Sequence, residues 1–431
     1  MKAVRRILDM MSGPFHKGGR LHRLYPLYEA IDTFSFTPGK VTTGRTHVRD
    51  GADLKRLMIT VVVALTPAIL WAIFNTGYQA NLAIERLAAS GGDVGSYALD
   101  NWRTSLYLAM GLQFSSASIV GCVVHGLLYY LPVLIVTFLV GGVWEVLFAA
   151  VRGHEVNEGF LVTGFLFPMI LPPAIPLWQV AMGVSFGIVI GKEVFGGVGK
   201  NIFNPALVGR AFLFFAYPAQ ISGDSVWIAA RGLTADGVSG ATALAVVKQE
   251  GMDALAAAGF NWWDAFIGLV PGSMGETSAL ACLIGAAVLL VTRVASWRSM
   301  FGVVLGTVAF SAMFNVIGSQ TNPAFAMPFW WHMVLGGWAF GTVFMVTDPV
   351  SSAFTARGQF IYGFFIGVMA VLIRVINPAY PEGMMLSILF MNMFAPLIDF
   401  GFMRANIRRR AKRLAQAAAS EANGGDSHAV R

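Results

Sequence analysis

A chain of 431 residues with 56% hydrophobic and only 12% charged side chains, at a mean hydropathy of +0.64, is not a soluble enzyme domain, which carries about 25% charged residues. The formal charge of +7 is gathered at the two ends, which reads as positive-inside anchoring rather than nucleic-acid binding. An all-α polytopic membrane protein is expected.

In chain order, residues 1–56 form a basic arm, "MKAVRRILDMMSGPFHKGGRLHR" continuing to "HVRDGADLKR". The arm is too polar for a signal peptide and is expected to remain cytoplasmic. About ten hydrophobic segments follow, near 57–77, 124–150, 159–175, 178–195, 205–217, 274–293, 300–317, 330–347, 359–376 and 384–403. Three are short or broken: "LVTGFLFPMILPPAIPL", "NPALVGRAFLFFAYP" and "VLGGWAFGTVFMVTDPV". Interrupted helices inside a membrane are tolerated only against protein, water or a ligand, so they predict a binding site within the bundle 57–403. The loop 218–272 separates two hydrophobic regions. Residues 404–431 open with the basic block "RANIRRRAKR" and end in an expected solvated, disordered tail.

With both termini cytoplasmic, 25 of the 30 Lys and Arg fall on the inner side (Arg210 among them) and 5 on the outer. That split supports ten spans and places loop 218–272 outside. "GVSFG" at 183–187 matches "GWAFG" at 337–341, each followed by Asn-Pro or Asp-Pro. Small-residue spacing for helix contact explains the match as well as an internal repeat does.

Several chemistries are absent. "GGVGKN" at 196–201 lacks the spacing of a dinucleotide loop, and no Walker A motif appears. The seven histidines show no paired metal spacing, and lone ones such as His125 and His332 read as structural. Cys122 and Cys282 have no CxxC spacing. The outer loop holds Asp236, Ser239, Gly240, Ala241 and Thr242 ahead of the apolar run "ALAVV". As bare letters, Ser239 or Thr242 caps a helix. A helix start also favours an anion, so an esterified phosphate on Thr242 suits the same place. A threonine hydroxyl is a weak nucleophile and no base is evident nearby, so a separate enzyme would have to activate it.

The pattern Asp-x-x-Ser-Gly-Ala-Thr resembles the site where a flavin transferase attaches FMN through a phosphoester to threonine. The surrounding chain is similar to the family of B subunits of bacterial Na⁺-translocating NADH:quinone oxidoreductases. The similarity runs from residue 17 to about 413 and includes "LYPLYEAIDTFSFTPGKVT", "GGVWEVLF", "HEVNEGF", "GKNIFNPALVGRAFLFFAYPAQISGD", "FNVIGS", "TDPVSSAFT" and "NPAYPEGMMLSILF". The resemblance implies a multi-pass subunit of the bacterial cell inner membrane, with covalent FMN on Thr242 at the outer face. It also implies non-covalent riboflavin nearer the inner side, assigned to Asn201, Asn204 and Pro205, where a half-helix start offers free donors. Quinone is expected at Gly141 and Gly142, since adjacent glycines let a flat ring approach backbone; close helix packing is the alternative.

Na⁺ passage should leave polar marks, and Glu145, Asp348 and Asp399 are acids at helix ends or interiors, where charge is costly. Ordinary interfacial acids remain the alternative. Phe340 and Phe344, one turn apart, are implied as a hydrophobic constriction, and as a bare pattern they read as packing. The family implies five other subunits, among them an NADH-oxidising FAD/iron–sulfur subunit and a second flavinylated subunit. The related membrane subunit of ferredoxin:NAD⁺ oxidoreductases shares the flavinylated-threonine motif, but the arm with "FSFTPGKVT" and "HVRD" fits the quinone-reducing family better. A passive channel is the reading from a different class.

Overall fold

The computed structural model describes residues 2–15, scattered positions between 19 and 32, and residues 54–425 except 90, 92–100, 154, 155, 157, 158, 224, 225, 231–240 and 378–381. Helix α1 (Lys2–Phe15) belongs to the basic arm. The bundle opens with α2 (Leu54–Ala89) and α3 (Ile119–Arg152). Three short apolar helices follow, α4 (Gly159–Met169), α5 (Leu177–Ile188) and α6 (Pro205–Ala216). After the loop helix α7 (Ala243–Glu250) come α8 (Ala279–Val291), α9 (Trp297–Ile317), α10 (Ala356–Ile376) and α11 (Gly383–Gly425). No strand occurs among the described residues.

Five helices, in α2, α3, α9, α10 and α11, are long and apolar enough to cross a bilayer, which takes about 20 residues. Helices α4, α6 and α8 are apolar but only 11, 12 and 13 residues long. Every hydrophobic segment expected from the sequence contains helix, and the protein is an all-α polytopic membrane protein. The breaks at 161–177 and 204–218 fall where proline interrupts the apolar run. Their ends need local hydrogen-bond partners, because lipid offers none. At the second break Asn204 supplies one, and elsewhere in the bundle Ser118, Ser278, Ser296 and Thr355 likewise accept from an amide of the first turn. Helix α11 runs without interruption through the basic block to Gly425.

One contiguous apolar core joins all the helices from α2 to α11. The tightest pair is α9 with α10. Gly302 and Gly306 face Phe360 and Phe364, while Gly363 and Gly367 face Ser299 and Val303, and a Cβ at any of the four would overlap a backbone carbonyl oxygen. Two reciprocal Gly-x-x-x-Gly faces thus let the backbones touch. Gly306→Leu is expected to cost about 3 kcal/mol or more, the upper end for overpacking, because backbone cannot move aside. Gly401, with nothing among the described residues within 4 Å of its would-be Cβ, is the control. Equal thermal stability of Gly306→Leu and Gly401→Leu in detergent would refute this.

Two π-helical turns interrupt the bundle, Val189–Glu193 directly after α5 and Gly341–Met345 directly after Trp338–Phe340. The first follows the matched segment 183–187, and the second begins at the last residue of its counterpart 337–341. π turns occur mostly as local insertions, often at functional sites. After the first, Gly196, Gly197 and Gly199 take φ of +112°, +94° and +85°. This left-handed loop turns the chain back toward α6, and glycine is the residue that adopts such φ freely.

Candidate functional site

A cavity lies where the interrupted helices meet, its about 720 Å³ of empty space including the solvent at its mouth. Val162, Leu166, Leu289 and Phe344 supply apolar wall, and Thr163, Lys192, Asn201, Asn204 and Asp348 supply polar groups. Residues assigned separately from the sequence, to a cofactor (Asn201, Asn204, Pro205) and to ion passage (Asp348, Phe344), therefore line one space.

The polar groups are largely committed to local structure. Asn204 caps α6, its Oδ1 accepting from the amides of Ala206 (3.0 Å) and Leu207 (3.4 Å). The donors of this half-helix are thus partly met by Asn204 itself rather than left for a ligand. Its Nδ2 donates to Asp348 Oδ2 at 3.4 Å, so the two matched Asn-Pro and Asp-Pro corners meet. Asp348 also accepts from Ser351 Oγ (2.6 Å) and the Val350 amide (3.2 Å). Asn201 Nδ2 donates to the Phe203 carbonyl at 2.9 Å.

On the first π turn, the buried Lys192 ammonium is paired with the buried Glu145 carboxylate of α3. The neighbouring Glu193 carboxylate accepts from Arg152 at 2.9 Å. Glu145 stands one turn beyond Gly141 on α3. A Cβ at Gly141 would meet the Phe160 ring at 2.5 Å and Ile188 at 2.8 Å, whereas at Gly142 only Phe160 among the described residues comes near, at 3.9 Å. Gly141 therefore serves helix packing in this structure, and the more open side belongs to Gly142. Asp399 accepts from the Phe354 and Thr355 amides at 2.6 and 2.9 Å, just ahead of α10. It lies away from the cavity wall.

A second cavity, its about 410 Å³ of empty space likewise including solvent at its mouth, is lined by Thr242, Leu244, Ser273, Glu276, Gly336 and Glu382 among others. Thr242 is the N-cap of α7, its Oγ1 accepting from the Ala245 amide at 3.3 Å. Ala241 precedes it, while Asp236, Ser239 and Gly240 lie outside the described residues. Lys248, at the other end of α7, donates to the carbonyls of Arg374 (3.1 Å) and Val375 (3.2 Å), tying the helix to α10. Burial lowers the Lys248 pKa.

Helix α6 borders one cavity and pairs with the lining of the other. Its N-cap Asn204 borders the first, and Arg210, about 9 Å further along by rise per residue, serves the second. The Arg210 guanidinium donates to Glu276 at 2.7 Å and is also paired with Glu382. Arg210, counted with the inner side in the charge tally, thus turns toward the Thr242 end, and the tally stays strongly lopsided without it. The run 336–344 makes a second link, with Gly336 on one cavity and Phe344 on the other. Between them Phe340 is fully buried, its ring centroid 5.2 Å from that of Phe344.

Sequence reasoning missed Lys192, Glu276 and Glu382. The available signal was Arg210 in the middle of "PALVGRAFLFFA": an arginine inside an apolar helix requires buried acidic partners. Among the described residues no group of His, Cys, Asp and Glu is arranged to hold a metal ion by itself. His125 Nδ1 lies 2.7 Å from Asn81 Oδ1 and its ring stacks on Tyr107, as a structural histidine would.

A family model described as the NQR2, RnfD, RnfE family matches residues 41–408. The chain belongs to this family. Within it, the chain is 57% identical to the B subunit of the Na⁺-translocating NADH-quinone reductase of Chromohalobacter salexigens, over 95% of this chain and 96% of that protein. The B subunits of the same name from Azotobacter vinelandii and Pseudomonas aeruginosa are also 57% identical, over 95% of this chain and 99% of theirs. Both cavities fall inside the family match, and so do all the site residues expected from the sequence.

Proposed function

We propose that the chain is the B subunit of a Na⁺-translocating NADH:quinone reductase of the bacterial inner membrane. It would carry covalent FMN on Thr242 at the outer face and riboflavin in the central cavity, with quinone reduced on the inner side. The observation that carries this reading is the pair of cavities linked through α6, with Thr242 lining one and Phe344 lining the other. Similarity to relatives named as this subunit supports the activity class.

The residues fit the groups they would hold. A phosphoester on Thr242 would meet the open amide end of α7, where the helix dipole favours an anion. The central cavity has mostly apolar walls for a flat ring and Asn201, Asn204, Thr163 and Lys192 for its polar edge. The bound flavins supply one-electron chemistry, and the protein supplies position and electrostatics. Phe344 on the wall of the central cavity, with the buried Phe340 packed against it, would suit a constriction that passes a cation only when the rings part. NADH oxidation falls to a partner carrying FAD and an iron–sulfur cluster, one of five other subunits, with a second flavinylated subunit among them and a flavin transferase needed for maturation.

The deciding experiment is intact-peptide mass spectrometry of the denatured chain. An FMN ester on the peptide holding Thr242 is expected, and a bare threonine from a strain that has the flavin transferase would leave α7 with a cap alone. For the quinone site the test is placed at Gly142, where a side chain meets little among the described residues. Gly142→Leu is expected to raise the quinone KM at least tenfold while NADH still reduces the upstream flavins. Unchanged quinone kinetics would place the site elsewhere.

A further inference from the structure

We infer that flavin is placed on Thr242 before α7 takes its seat in the bundle, and that docking of α7 ends the period in which the flavin transferase can act. This rests on the proposed attachment of FMN at Thr242 and adds its place in the order of assembly.

The transfer makes a demand on shape. A bond forms between Thr242 Oγ1 and phosphorus as the diphosphate bridge of a flavin dinucleotide breaks. The nucleoside monophosphate leaves, and the hydroxyl proton passes to a base of the transferase. For that attack the oxygen must come within about 3–3.5 Å of the phosphorus, in line with the leaving group. The donor lies inside the transferase, so the residues next to Thr242 have to enter that site as well.

The folded chain withholds them. Thr242 is half-buried, and its Oγ1 accepts from the Ala245 amide at 3.3 Å. Directly after it come Ala243, 3% exposed, and Leu244, 5% exposed, with Val247 at 1%. Leu244 fits over Gly336, where a Cβ would stand 2.8 Å from its Cδ1. Lys248 Nζ donates to the Arg374 and Val375 carbonyls, which fixes the far end of the helix. On the other side of the motif, Ala229 and Ala230 are buried in clusters with residues of α2 and α3. Thr242 and its neighbours therefore reach another enzyme's active site only with α7 lifted out of its seat.

Chain order supplies the opportunity. Gly336, Arg374 and Val375 are all synthesised after α7. Lys248 and Arg374 are 126 positions apart, which is about 6–25 s of synthesis at the usual bacterial-to-eukaryotic range of elongation rates. Until α10 is in place, Lys248 has no carbonyls to bind. Burial of Leu244 and Val247 then drives docking, and the esterified phosphate comes to lie at the amide end of α7.

The test separates old chain from new in cells that assemble the whole complex. Chain carrying a heavy isotope is made without the transferase, synthesis is switched to the light isotope, and the transferase is then induced. Mass spectrometry of the peptide holding Thr242 reads the ester on each. New wild-type chain should carry the ester, and old wild-type chain at least tenfold less. Leu244→Ala leaves α7 loosely seated, so its old chain should gain at least severalfold more ester than old wild type. Lys248→Met should act in the same direction and takes its place if Leu244→Ala does not assemble.

Equal ester on old and new wild-type chain overturns the inference. An old variant chain as bare as old wild type overturns it too, because the barrier then lies in partner subunits and not in α7. No ester on new wild-type chain sinks the proposed attachment and this inference with it. Ester on new chain keeps the attachment, whatever the old chain does.

Discussion

Thr242→Asn is expected to leave the complex assembled but without covalent flavin on this subunit, and quinone reduction should fall to background. Asparagine is as good an N-cap as threonine, so the hydrogen bond to the Ala245 amide has a replacement. It has no hydroxyl to esterify. Even Thr242→Ala, which removes the cap, should cost only about 1 kcal/mol, small beside a total stability of about 5–15 kcal/mol. Helix α7 is held independently by buried Ala243, Leu244 and Val247 and by Lys248 on the carbonyls of α10. Attachment and capping are thus separable at one position. In-gel flavin fluorescence of the subunit provides the check, and wild-type fluorescence in Thr242→Asn would move the attachment elsewhere.

Arg210→Met is expected to be the most destabilising single change near either cavity, at about 3–5 kcal/mol, because it leaves buried carboxylates without their partner. Glu276 and Glu382 both depend on this guanidinium. Arg374 acts electrostatically on the same two acids, but its own guanidinium already donates to the His332 and Leu335 carbonyls. Adding Glu276→Gln and Glu382→Gln to Arg210→Met should restore much of the loss, since apolar and neutral replacements of a buried ion set often cost little. Thermal unfolding of the detergent-solubilised complex measures both. A single variant as stable as wild type would mean that water or ions already reach the cluster.

The membrane architecture was legible in the sequence because hydropathy acts locally: a run of about 20 apolar residues has few other places to go. The short helices α4 and α6 were legible for a related reason, with proline interrupting the apolar run in each. The cavities were only half legible. Asn204-Pro205 and Asp348-Pro349 stand out as polar corners between apolar runs, yet they are 144 positions apart, and only packing shows that they touch. Ion pairs were the least legible. Lys192 and Glu145 are separated by 47 positions and Arg210 and Glu382 by 172, and no periodicity reports partners on different helices. Gly141 shows the converse: two small residues together marked a close approach, and it is Phe160 and Ile188 that make it.

The α9–α10 pair also constrains how the protein can move. Four glycine notches each receive a carbonyl from the opposite helix, in the manner of a keyed shaft. Sliding by one residue would drive side chains into backbone, so the two helices must travel as a single strut. Whatever displacement accompanies a turnover is then left to the softer elements, the π turns and the short helices around the cavities. The strut is the fixed frame against which they work.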